Sequence, residues 1–136
     1  MSIALHVGPK SYEIGTAEFF ASFFSTVFTR LEAGSWAAQY PVVMKALYAG
    51  AVPASQCAQA ITELRAIRAA FNSLPPSALV WDHARPESKP PWGNNVGPHI
   101  TSLGNYFVTS SGRELFAVFE EAFQQALRSG SGVAVQ

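Results

Sequence analysis

"TAEFFASFFSTVFTRLE", from Thr16 to Glu32, is the stretch on which the fold turns. Phe19, Phe20, Phe23, Phe24, Val27, Phe28 and Leu31 recur every three or four positions, the period of one helix face. Ser22, Ser25, Thr29 and Glu32 fall elsewhere on the wheel. Thr16 can cap the first free amides, and Glu18 puts negative charge in the first turn, where the helix dipole favours it. So many rings need a broad opposing surface, most simply a sheet. They read as core and not as a cofactor cage.

The flanks can supply that sheet. Ser2–Val7 alternates, with Ile3, Leu5 and Val7 on one side and His6 on the other, as a half-buried strand does. "GPKS" then turns the chain, and Tyr12–Ile14 can return as a partner strand. Pro41 can open a short helix through Ala49, ended by Gly50. A break at Val52–Pro53 precedes a longer helix through about Phe71, with Cys57, Ile61, Leu64, Ile67 or Arg68, and Phe71 drifting around one face. Arg65 and Arg68 fit its margin, where their stems cover apolar surface while their heads stay wet. Leu79–Asp82 and Asn105–Thr109 look like short strands. Ser111 and Glu114 fit the S-x-x-E capping box of a last helix carrying Leu115, Phe116, Phe119, Phe123 and Leu127. Gly130 and Gly132 then release a terminal strand in which Val133 and Val135 share a face. The expectation is an α+β domain spanning residues 1–136, with one small antiparallel or mixed sheet covered by about four helices.

Composition bounds the function. The 136 residues are 49% hydrophobic and carry nine basic and nine acidic side chains. A chain of that length buries roughly two-thirds of its unfolded surface without a disulfide framework or a structural metal. Zero formal charge gives no support to nucleic-acid binding, which needs a basic patch to displace counterions. Cys57 is the sole cysteine, so no intrachain disulfide can form, and its apolar helix position reads as a packed thiol. "MSIALHVGPK" lacks the features of a signal peptide, and no run approaches a membrane span. A cytoplasmic location is expected, with no membrane partner.

No catalytic constellation emerges from spacing. Asp82, His83, Glu87 and His99 could be gathered around a metal by folding, yet H-E-x-x-H and paired cysteines are both absent. There is no G-x-S-x-G elbow, and "GNNVGPH" lacks the lysine of a phosphate loop. Glu13, Glu18 and Asp82 could act as an acid–base pair only after tertiary convergence. Local roles suffice for them: a turn-exposed Glu13, a helix-starting Glu18 and a strand-ending Asp82. No catalytic, metal or cofactor-binding residue is assigned.

Recognition of a protein is the stronger reading, and it centres on "PPWGNNVGPH", Pro90–His99. Pro90, Pro91 and Pro98 restrict the backbone. Trp81 and Trp92 supply rigid aromatic area, while Asp82, Asn94, Asn95 and His99 can add directional hydrogen bonds around it. Tryptophan anchors with polar rims are frequent interface hot spots. A tryptophan among prolines can equally form a lid over its own core. Composition leaves both roles for Trp92 open.

Two stretches carry a family resemblance: "YEIGTAEFFASFFSTVF" (Tyr12–Phe28) and "VWDHARPESKPPWGNNVGPHITSLGNYFVTSSGRELF" (Val80–Phe116). In this order around the central helices, they resemble the immunity protein 70 family of bacterial polymorphic-toxin systems. The resemblance implies an intracellular antidote that binds a cognate toxin domain and inhibits it stoichiometrically. It assigns no toxin contacts. A small adaptor or regulatory protein-binding module is the alternative, with a hydrolase behind it.

Overall fold

Ser2–Val7 (β1) and Lys10–Thr16 (β2) pair antiparallel, with Val7 opposite Lys10 across a two-residue turn. Gly8, at φ 57°, takes the positive angle that such a tight hairpin requires, and Pro9 fixes the next. These strands belong to a computed structural model that describes residues 2–93 and 95–136. Ala51–Val52 (β3) and Val133–Val135 (β4) complete a fully antiparallel sheet in the order β2-β1-β4-β3. Leu5, Val7, Ile14, Val52 and Val133 are buried.

The helices are α1 (Ala17–Leu31), a π-helical segment (Val42–Leu47), α2 (Cys57–Phe71) and α3 (Leu115–Ser129). The expected α+β arrangement is thus what the chain forms. Thr16 caps α1, its hydroxyl accepting the Phe19 N–H at 3.1 Å. Both α1 and α3 lie against β1 and β2, while α2 packs on α3. Gly130, at φ 67°, ends α3 in the left-handed conformation that commonly stops a helix. Phe23 sits where the layers meet. Its ring lies 5.4–6.1 Å from those of Phe24, Phe71, Phe107, Phe116 and Phe119, all edge-on. Such pairs contribute about 0.5–1.5 kcal/mol each beyond their area burial.

Several local expectations are corrected. Leu79–Asp82 is not a strand. Its backbone docks on α1 instead: the Thr26 hydroxyl accepts the Val80 N–H at 3.0 Å and lies 3.1 Å from the Val80 carbonyl. Asn105–Thr109 forms turns and a single bridge between Val108 and Glu114. The Ser111–Glu114 capping box does not form either. Glu114 ion-pairs with Arg68, and the Leu115 N–H is satisfied by the Phe107 carbonyl at 2.9 Å. The polar side of α1 is also less wet than its pattern implies, since Ser22, Ser25, Thr26 and Glu32 are buried. The segment after α2 folds over part of that side and takes up the Ser25 and Thr26 hydroxyls, while the Ser22 hydroxyl donates to the Phe19 carbonyl at 2.6 Å.

Two buried carboxylates hold the middle of the chain. Glu32 accepts the N–H groups of Ala37, Gln39 and Tyr40 at 3.0–3.2 Å. Glu63 accepts those of Val42 and Val43 at 3.2 and 2.9 Å, together with the Gln59 amide at 2.8 Å. The π-helical segment therefore starts on a carboxylate supplied by α2, which offsets its unpaired first amides. Desolvation, and then the charges of Glu32 and Glu63, push the Tyr40 hydroxyl above its ordinary pKa.

Candidate functional site

The connection from α2 to α3 wraps one side of α1 as a succession of turns, with N–H groups of Arg85, Ser88, Gly93 and Asn95 each bonded three residues back. At its rim Trp81 and Trp92 meet edge to face, centroids 5.5 Å apart and planes at 81°. Trp81 packs against the core cluster, whereas Trp92 is 38% exposed. The Trp92 indole N–H donates to the Tyr106 hydroxyl at 2.8 Å, and Tyr106 is itself buried. Burial raises the Tyr106 phenol above its usual range, while the bond from Trp92 pulls the other way. Trp92 is thus neither a core plug nor a free side chain. It presents one face outward from a fixed position.

Two hollows border the Trp81 side of this pair. The larger, about 720 Å³, has walls from Trp81, the Pro86–Pro90 turns and Tyr106, with Arg30 at its edge. The smaller, about 170 Å³, lies on the other side of Trp81, between the start of α1, Trp36, Tyr48 and the Trp81–His83 segment. Trp81 is common to both. A third hollow of about 230 Å³ runs beside Trp92, bounded by Asn95, Ile100 and Val108.

The residues singled out from sequence fall along this rim without forming one cluster. Asp82 faces the small hollow and accepts the Ala84 N–H at 3.0 Å. Asn95 is exposed and lies beside Trp92. His99 is exposed, its ring folded over Gly97 and its carbonyl accepting the Asn105 amide at 2.9 Å. Asn94 lies outside the described residues. His83 is held by Ser25, whose hydroxyl takes its N–H at 3.1 Å and meets Nδ1 at 3.0 Å. Among the described residues no group of three or more His, Cys, Asp or Glu is placed to hold a metal ion. Cys57 is buried, its thiol shifted up by desolvation.

Sequence reasoning passed over Trp36 and Tyr48. Trp36 stands in a loop with no periodicity, and Tyr48 sits on the outward side of a short helix, 50% exposed. The one available signal was an aromatic at each end of "WAAQYPVVMKALY".

The sequence model for immunity protein 70 matches residues 5–135. The chain belongs to the immunity protein 70 family. The matched span runs from within β1 to the end of β4, so it takes in the whole sheet core as well as the Trp81–Trp92 rim. Family membership marks the protein as one of immunity type. No curated protein and no solved structure matches the chain.

Proposed function

We propose that this protein neutralises a cognate toxin domain inside the cell by binding it one to one, through the face that carries Trp81 and Trp92. The family match over residues 5–135 supports the immunity role. The observation that carries the location is Trp92: an aromatic 38% exposed, yet anchored through its N–H to Tyr106. A side chain already held in place loses little freedom on association, which favours affinity. Aromatic anchors beside polar rims supply much of the energy in protein interfaces. With no net charge, attraction to the toxin depends on local complementarity and not on a global field. Occlusion of the toxin's working surface requires no turnover by this chain.

Co-expression with the toxin domain, followed by size-exclusion chromatography and a survival count, tests the reading. A co-eluting equimolar complex together with restored growth is expected. Protection in the absence of any complex would sink direct inhibition.

A further inference from the structure

The geometry points to the 170 Å³ hollow beside Trp81 as a socket for one cationic side chain of the bound toxin, arginine before lysine. The toxin-neutralising role is assumed only for the identity of the molecule that supplies that side chain.

Size excludes a larger guest. Small-molecule sites span about 300–1,000 Å³, and this hollow is below that range while still able to take a side-chain tip. Its walls are aromatic on three sides. Trp36 and Tyr48 form a corner, centroids 4.9 Å apart and planes at 64°, and Trp81 lines the same hollow. A cation within about 6 Å of such ring centroids is attracted by their negative faces.

The charges agree with the rings. Glu18 and Asp82 both line the hollow, and neither Lys nor Arg does. The ion pairs among the described residues, at Arg65, Arg68 and Arg113, involve neither carboxylate. Asp82 uses one oxygen for the Ala84 N–H, and the Glu18 carboxylate is exposed and makes no side-chain hydrogen bond among the described residues. An anionic guest would be repelled, and an apolar one would gain nothing from either carboxylate. Guanidinium, planar and with five donors, can stack on a ring while its edge bonds a carboxylate.

The socket is also built in advance. The Trp36 indole N–H donates to the Met44 carbonyl at 2.7 Å, fixing that wall to the π-helical segment. The double contact between Ser25 and His83 fixes the other. Because Trp81 also walls the larger groove, a toxin seated on the Trp81–Trp92 face would place side chains over this opening.

The test uses the intact protein and a defined probe. Nα-acetyl-arginine amide is titrated while the tryptophan indole resonances are followed by NMR, with the norleucine amide as the uncharged control. Saturable shifts of Trp36 and Trp81 with the arginine probe, and none with norleucine, are expected. Glu18→Gln and Asp82→Asn should each weaken the probe by about 2–5-fold, as for partly exposed charge pairs. Equal response to norleucine, or shifts confined to Trp92, would overturn the socket. Trp36→Leu is avoided as the sole variant because it removes a wall of the fold. In the toxin complex the Glu18→Gln/Asp82→Asn double variant should lose affinity at least about 5-fold. The free protein's thermal midpoint should fall by only a few degrees, through loss of the Glu18 charge at the start of α1. Unchanged toxin affinity would overturn the socket and leave neutralisation standing. Failure of the unaltered protein to bind toxin would overturn neutralisation, and the amide titration would still decide the socket's chemistry.

Discussion

Trp92 and Tyr106 are fastened by a 2.8 Å hydrogen bond from the indole N–H to the phenolic oxygen, which ties an exposed aromatic to a residue only 6% exposed. Tyr106 in turn meets Phe107 edge-on at 5.3 Å, and Phe107 touches Phe23 in the centre of the core. The rim is therefore braced by the hydrophobic core through three consecutive contacts.

That bracing couples the energetics of Trp92 to those of its tether. Trp92→Ala breaks the bond to Tyr106, strands the buried Tyr106 hydroxyl and removes the Trp81 contact, so it should cost roughly 1–3 kcal/mol of unfolding stability. The variant that remains folded should in addition lose at least about 2 kcal/mol of toxin affinity, some 30-fold. Tyr106→Phe removes only the acceptor and should cost roughly 0.5–1.5 kcal/mol of stability. Denaturant titration and calorimetric binding of both variants check this. A strongly destabilised Trp92→Ala with unaltered affinity would return the residue to a structural role.

Phe23→Ala should destabilise the protein by roughly 3–5 kcal/mol, the range for a packed phenylalanine whose site cannot collapse. The ring is fully buried among five others drawn from all three α-helices and the Phe107 segment. Urea unfolding measures the loss. A value below about 1.5 kcal/mol would mean that the neighbouring rings close the gap.

Glu63→Ala should cost about 2 kcal/mol or more, because it strips the acceptor from the Val42 and Val43 amides. Glu63→Gln keeps one acceptor oxygen and should cost less. Hydrogen exchange at Val42 and Val43 reports the effect locally, and faster exchange in the alanine variant than in the glutamine variant is expected.

Glu120 is held below the ordinary glutamate range by the hydrogen bond from Arg65 and then by that from Gln124. A depressed folded pKa stabilises above the unfolded value, near about 4.3, and that stabilisation fades as pH falls through the folded value. The pair is largely exposed, so the effect is small and weakens with salt. Unfolding midpoints of the unaltered protein and Glu120→Gln should differ at neutral pH and converge as the solution is acidified. A gap that persists in acid would assign the difference to something other than the carboxylate charge.

Much of the fold was legible because its signals are local. The phenylalanine period of α1, the Thr16 cap, the alternation of β1 and the break at Gly130 each lie within a few residues. The misread strands share one cause. Val80 has the composition of a strand, but its backbone partner is the Thr26 side chain, 54 positions away. Glu32 stood off the apolar face of α1 and Glu63 carried no reading at all, because their partners are backbone amides, which leave no mark in a sequence. Trp81 and Trp92 were visible as rigid aromatics. Their meeting with each other, and the meeting of Trp36 and Tyr48 with Glu18 and Asp82, depends on how the long connection wraps α1.

The order of the sheet sets a timetable for synthesis. β1 is made well before β4, yet the strand that joins it to β3 is Val133–Val135. Pairings this distant in sequence slow folding, since the chain between them must be ordered first. A nascent chain paused before Gly132 already holds every phenylalanine of the core. It still lacks the strand that bridges β1 to β3, and one edge of β1 remains open to other chains. For this protein, the amount translated and the amount folded are different quantities until β4 has docked.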